Sequence, residues 1–397
     1  MPETADVVIV GGGIEGLSTA YALTQAGISD VLVLERATLA SGGTGKSSGI
    51  VRCHYGVASL AAMAWKGLQL FENALDVLGT EIGFEQIGYV VGVGEGNLES
   101  LEANVAMHRS LGIDSRVVGA SEVAALWPYA DLSDLIGFAY EPRGGYGDGA
   151  RTALAFAAAA RRGGARIRQG AAVRRVCGGP GVELASGERI TSGAVVVAAG
   201  FWSRNLLAPL GIDLPVRAQR EAILLIEAGA DGPSPERVRD LPVFSDLADL
   251  QYVRPERSGQ LLVGNSDHSD PEWADPDDYS NRASDGFLAA ALPKVAHRFP
   301  GLGDARLASS YAGCYDVTPD YNPVMSAATI PGLFVCAGFS GHGFKISPAV
   351  GELMADLVAH GVSRDPLVPE ADFALGRFAE GRLLASAHAY AGAGQMR

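Results

Sequence analysis

An α/β fold built on a parallel sheet is predicted by three segments spread along the 397-residue chain. Asp6-Val-Val-Ile-Val10 is short, β-branched and apolar throughout, as a strand covered on both faces should be. It runs directly into Gly-Gly-Gly-Ile-Glu-Gly16. Far downstream, Gly193-Ala-Val-Val-Val-Ala-Ala-Gly200 repeats the apolar strand ending on glycine. Cys336-Ala-Gly-Phe-Ser-Gly-His-Gly-Phe-Lys345 then supplies a second glycine-rich strand-to-helix turn.

Gly11, Gly13 and Gly16 form G-x-G-x-x-G. The first permits a tight turn, the second lets a pyrophosphate approach the backbone, and the third lets the helix pack close to the sheet. The helix is expected over Ile14 to Ala26, with Gly27 as its stop. A second strand, Val31-Leu-Val-Leu-Glu35, ends on an acid placed to accept hydrogen bonds from ribose hydroxyls, and its charge opposes the 2′-phosphate of NADP. The fingerprint leaves NAD and FAD both open. Arg166-Ile-Arg168, Ala172–Val176 and Gly193–Gly200 read as strands returning to the same sheet. The Val173 backbone is placed to meet an adenine, and Ala199-Gly200 to pass close to the dinucleotide.

The length suits two intimately packed domains, and 48% hydrophobic against 19% charged residues allows a sizeable interior. A formal net charge of −14 opposes nucleic-acid binding. It also means that an anionic substrate needs a local cationic pocket. Val7–Val10 lacks the flanks of a signal peptide, and no apolar run approaches a membrane span. Cys53, Cys177, Cys314 and Cys336 are scattered without a CxxC pair, which predicts reduced thiols in a cytoplasmic protein.

The chain also carries Ser41-Gly-Gly-Thr-Gly-Lys-Ser-Ser-Gly-Ile-Val-Arg52, Gly144-Gly-Tyr-Gly-Asp148, Val195–Ser203 and Tyr315-Asp-Val-Thr-Pro-Asp320. With the two glycine-rich turns, these resemble the D-amino-acid oxidase superfamily of flavoproteins over nearly the whole chain, and within it the sarcosine oxidase and dimethylglycine dehydrogenase group. The resemblance implies FAD and an FAD-binding Rossmann-type (glutathione-reductase-like) domain with an inserted α+β antiparallel-sheet substrate domain. Residues 1–77, 145–215 and 312–385 would form the FAD domain, 78–144 and 216–311 the substrate domain, and 386–397 a C-terminal tail. Glu221–Glu227, Leu250–Arg254 and Gln260–Gly264 read as strands of the inserted part.

Cofactor contacts are then expected from Gly11, Gly13, Ile14, Glu15 and Gly16, and from Glu35 and Arg36. The early loop would add Ser41, Thr44, Lys46, Ser47 and Ser48, and the middle strands Val173, Ala199, Gly200 and Trp202. The last turn would add Gly338, Ser340, Gly341, His342, Gly343, Phe344 and Lys345. In the resembling enzymes an arginine at the place of Arg52 faces the substrate carboxylate, a task that suits the guanidinium fork. Lys345, just before a helix expected over Pro348 to Val358, would add a second cationic contact. The helix N-terminus would favour the negative charge of a reduced flavin. His54 and His342 are candidates either for proton acceptance or for ordinary hydrogen bonding, and Tyr252 and Tyr315 for pocket walls.

Three departures from the family pattern matter. Lys46 stands where the dimethylglycine-dehydrogenase type carries a flavin-linked histidine. Gly313 stands where small sarcosine oxidases carry a flavin-linked cysteine, with Cys314 one residue late, so noncovalent FAD is expected. Leu262 falls where those oxidases place an oxygen-activating lysine, leaving the acceptor as O2 or an electron-transfer partner. The expected activity is oxidation of the C–N bond of a small secondary or N-methylated amino acid (sarcosine-like) by hydride transfer to flavin N5, giving an imine. The alternatives are a 2-hydroxy-acid dehydrogenase, which needs a base such as His54 or His342, and a flavin-bearing subunit of a larger complex. Either a hetero- or a homo-oligomer fits the sequence.

Overall fold

The computed structural model describes residues 3–391. Glu3–Val10, Val31–Leu34 and Arg166–Arg168 lie side by side in parallel, and Arg189–Val197 pairs in parallel along the other edge of the first strand. Leu333–Ala337 extends the parallel set against Val195–Val197. Val173–Val176, Gly181–Leu184 and Val324–Ala327 add antiparallel strands at its margins. The strand Val31–Leu34 is buried along its whole length, the environment that its unbroken apolar sequence calls for.

Ile14–Gln25 packs on this sheet between the helices Gly149–Arg162 and Gly343–His360. The last of these starts earlier than the expected Pro348 and holds that proline in its interior. Pro348 has no N–H to offer the Phe344 carbonyl, and the Ser347 hydroxyl donates to that oxygen instead, at 2.9 Å. With this repair the helix begins at Gly343, and Lys345 falls in its first turn.

A second eight-stranded sheet has the order Arg306–Val317, Arg217–Glu227, Leu261–Asn265, Gln251–Pro255, Val243–Asp246, Tyr89–Val93, Gly137–Glu141, Arg116–Val118. All neighbours are antiparallel except Val243–Asp246 with Tyr89–Val93. Its longest strand, Arg306–Val317, runs through the boundary expected at residue 312 and stays paired with the neighbouring strand as far as Val317. That continuity carries Cys314, Tyr315 and Asp316 from the second sheet to the rim of the first. A small ribbon of Ile50–Val51, Gly145–Tyr146 and Glu85–Gln86 lies between the two regions.

The last described residues are docked. Tyr390 is buried, and Asn97 both donates to the Ala391 carbonyl and accepts from the Ala391 N–H. The last part of the expected tail, 392–397, lies outside the described residues. Among the described residues no helix is long and apolar enough to cross a membrane.

Candidate active site

A groove of about 460 Å³ opens at the carboxyl ends of the parallel strands, where sheets of this kind receive ligands. Its floor requires glycine. Gly11 has φ +119°, and a Cβ there would stand 2.3 Å from the Ala198 carbonyl oxygen. Thr44 Oγ1 accepts the Ile14 N–H at 3.0 Å, tying the early loop to the helix start. Glu35 is clamped by the Gly12 and Ala37 N–H groups, each at 2.8 Å, which fixes its carboxylate at the groove edge.

Gly11, Gly13, Ile14, Glu15, Glu35, Arg36, Ser41, Thr44, Ser47 and Ser48 line the groove, as do Val173, Ala199, Gly200, Trp202, Gly341, Gly343 and Phe344. Gly16 lies beneath it, where a Cβ would stand 2.2 Å from the Gly11 carbonyl oxygen. Gly338 and Ser340 form the turn behind it. The Gly338 N–H donates to Asp316 at 2.7 Å, and Ser340 Oγ accepts from the Thr318 N–H at 3.2 Å. Lys46 does not line the groove, since its ammonium donates to Asn281 of the second domain at 2.7 Å. A Cβ on Gly313 would stand 2.7 Å from Lys46 Cβ, so the two flavin-attachment places of the resembling enzymes are neighbours in space.

Several contacts were not legible in the sequence. Asp277 reaches across from the second domain and accepts from Arg36 and from Trp202 Nε1, both at 2.9 Å, while the guanidinium lies 3.7 Å over the Trp202 ring. Asp316 lines the groove, and burial raises its pKa to about 6. Glu15 is buried at the groove wall with neither carboxyl oxygen hydrogen-bonded. Burial first, and then Asp316, push its pKa well up, which favours the protonated carboxyl. These residues fit a dinucleotide. Two helices start at the groove, a glycine floor admits a pyrophosphate, and the unsatisfied Glu15 carboxyl awaits a polar ligand.

Beyond Phe344 lies a compact group of Arg52, Tyr55, His342 and Lys345. Arg52 and Lys345 are each only 6% exposed. The guanidinium carbon is 4.4 Å from the centroid of the Tyr55 ring and Lys345 Nζ is 5.9 Å from the same centroid, while His342 meets that ring edge-on at 5.3 Å. Arg52 also donates to the His54 carbonyl. Among the described residues neither side chain has a carboxylate in direct contact, although the buried Glu141 acts on Arg52 at longer range and raises its pKa. Burial, and after it the charge of Arg52, holds the Lys345 pKa well below the ordinary lysine range. Burial lowers His342 and His54 strongly as well, which favours the neutral imidazole in both. Tyr55, absent from the expected site, is the ring that unites the two cations.

Tyr315 lines the groove and is hydrogen-bonded to Tyr252, which also bonds Ser48. His268 stands beside His342 and is held by Gln219 at 2.9 Å and Glu221 at 3.3 Å. His54 is turned away from this group, with its Nε2 2.7 Å from the Tyr390 hydroxyl.

A dinucleotide groove that ends at two buried basic side chains, on this two-sheet architecture, describes a flavin-dependent oxidoreductase. The chain belongs to the DAO family, FAD dependent oxidoreductase, whose profile matches residues 6–357, and FAD is its cofactor. It is 30% identical over 375 residues to 4-methylaminobutanoate oxidase (formaldehyde-forming) of Paenarthrobacter nicotinovorans, covering 91% of this chain but 44% of that protein. It is 27% identical to sarcosine oxidase subunit beta of Rhodobacter capsulatus, over 96% of this chain and 90% of that one. Among solved structures, L-proline dehydrogenase from P. horikoshii superposes with a TM-score of 0.85 at 23% identity, covering 96% and 99% of the two chains. Glycine oxidase from Geobacillus kaustophilus superposes with a TM-score of 0.78 at 25% identity, covering 94% and 99%.

Proposed function

We propose that the protein oxidises the C–N bond of a small secondary or N-methylated amino acid. The observation that carries this reading is the buried pair of basic groups, Arg52 and Lys345, sharing the Tyr55 ring, with Glu141 acting on Arg52 only at longer range and no carboxylate in direct contact with either among the described residues. Burial disfavours the charged form of both groups, and a substrate carboxylate held between them offsets that cost for both at once. The guanidinium fork grips the two oxygens, and Lys345 adds a point charge that the bound anion keeps protonated. Tyr55 and His342 wall the amine end, where burial and the neighbouring basic groups favour the free amine over the ammonium. Holding the substrate by its carboxylate orients the reacting C–H toward the groove. Bound FAD would supply the hydride acceptor, leaving an imine for water to hydrolyse. Glu35, Gly11, Gly13 and Thr44 would hold the cofactor, noncovalently, since Lys46 and Gly313 occupy the attachment places.

The names of the relatives support the substrate class: one is a methylaminobutanoate oxidase and another a sarcosine oxidase subunit. The match to that subunit along 96% of this chain also supports a place in a hetero-oligomer. Leu262, fully buried on the second sheet, supports an electron acceptor other than O2.

Anaerobic mixing with sarcosine, N,N-dimethylglycine, 4-methylaminobutanoate, L-proline and lactate tests the reading. Loss of the oxidised flavin band with at least one methylated or secondary amino acid, and none with lactate, is the expected result. Bleaching by lactate alone would replace the reading with a hydroxy-acid dehydrogenase.

A further inference from the structure

His54, His108 and Glu141 come from three separate elements: the segment after Ile50–Val51, the helix Leu98–Ser110 and the strand Gly137–Glu141. All three are buried. One ligand-capable atom from each lies within 4.8 Å of the others, and His54 Nδ1 is 3.9 Å from Glu141 Oε1. His54 Nδ1, His108 Nδ1 and Glu141 Oε1 are each buried without a hydrogen-bond partner. The remaining polar atom of each side chain is anchored. His108 Nε2 is 2.7 Å from the Tyr55 carbonyl oxygen, His54 Nε2 is 2.7 Å from Tyr390 Oη, and Glu141 Oε2 accepts the Cys53 N–H at 2.8 Å. A carbonyl that takes the proton of one ring nitrogen leaves the other as a bare acceptor. Imidazoles anchored in this way are the arrangement that metal-ligating histidines adopt.

We propose that His54, His108 and Glu141 form a buried site for a divalent transition-metal ion of the zinc type. Two imidazole nitrogens and one carboxylate oxygen suit zinc, whereas calcium and magnesium call for an all-oxygen set. Tetrahedral zinc with bonds of about 2.0–2.1 Å places its ligand atoms about 3.3 Å apart. Small side-chain rotations therefore draw the three groups inward when the ion binds, and water completes the shell. The ion takes no part in the oxidation. It cross-links the segment bearing Arg52 and Tyr55 to the helix and strand behind it, and Tyr390 becomes a positioning residue that orients His54 toward the metal. This proposal does not depend on the identity of the substrate.

The full-length, flavin-loaded protein is loaded with Zn2+, dialysed against metal-free buffer and analysed for zinc and flavin. One zinc per flavin is expected in the parent. Glu141→Gln and His108→Gln should lose it, and Tyr390→Phe should weaken zinc affinity by roughly 10–100-fold with flavin content unchanged. If the ligand variants do not fold, X-ray absorption of the zinc-loaded parent decides. A shell containing two imidazoles supports the site, and a shell without imidazole overturns it. Absence of stoichiometric zinc in the parent, or zinc retained equally by folded Glu141→Gln, also overturns it.

Discussion

The carbonyl oxygen of Lys345 lies 1.9 Å from where a Cβ on Gly67 would stand. The helix Ala58–Glu72 therefore touches the first turn of Gly343–His360 through bare backbone, and this crossing fixes the height of Lys345 over Tyr55. Gly67→Ala cannot be accommodated by a rotamer change, because the obstructing atom is main chain. Overpacking of this kind costs about 1–3 kcal/mol, read as a lower urea midpoint. Flavin should stay bound while carboxylate ligands bind more weakly. Parent-like affinity for such ligands in Gly67→Ala would show that the crossing does not set the lysine.

Lys345 also gives the site a pH signature. Burial and the Arg52 charge lower its pKa in the free protein, and the groups that face it are Arg52, Tyr55 and His342. A bound carboxylate favours the ammonium form, so binding takes up a proton once the pH exceeds the lowered pKa. Anion affinity is then highest at low pH and falls by about tenfold per pH unit between the free and bound pKa values of the lysine. Lys345→Met should flatten that slope. Flavin-spectral titrations across the pH range check this, and a parent affinity that is flat with pH would count against it.

Glu35 is held by two backbone N–H groups at the groove edge. Glu35→Gln removes the charge that those donors and the ribose hydroxyls share, and FAD affinity should drop by about 1–3 kcal/mol. Fluorescence titration of the apoprotein with FAD measures it. Unchanged affinity would mean that the acid serves only to shape the loop.

The neighbouring positions Lys46 and Gly313 hold neither a histidine nor a cysteine, so acid precipitation should release the whole of the yellow colour into the supernatant. Flavin fluorescence that migrates with the denatured polypeptide on a gel would refute noncovalent binding.

Much of the first domain was legible because its signals are local. The apolar strand at Asp6–Val10, the glycine turn and the acid at Glu35 each sit within one βαβ stretch, and the groove is built from them. Arg52 and Lys345 were legible through motif likeness. Tyr55 was not, although it follows Arg52 by three residues, because an aromatic side chain carries no signal of what it lies beneath. Asp277 over Arg36 and Tyr390 against His54 join residues 241 and 336 positions apart, separations that no periodicity encodes. Pro348 misplaced a helix boundary for a definite reason. Proline favours a first turn, and the hydroxyl of Ser347 that lets it sit inside the helix is visible only in three dimensions.

The carboxylate clamp is tested most directly by titrating flavin absorbance with methoxyacetate and with its neutral amide, in the parent, Arg52→Gln and Lys345→Met. A charge-assisted hydrogen bond contributes about 1.5–3 kcal/mol, so each substitution should weaken the anion by roughly ten- to a hundredfold and leave the amide little changed. If both variants bind methoxyacetate as tightly as the parent, Arg52 and Lys345 do not hold a carboxylate, and the amino-acid substrate class is lost with them.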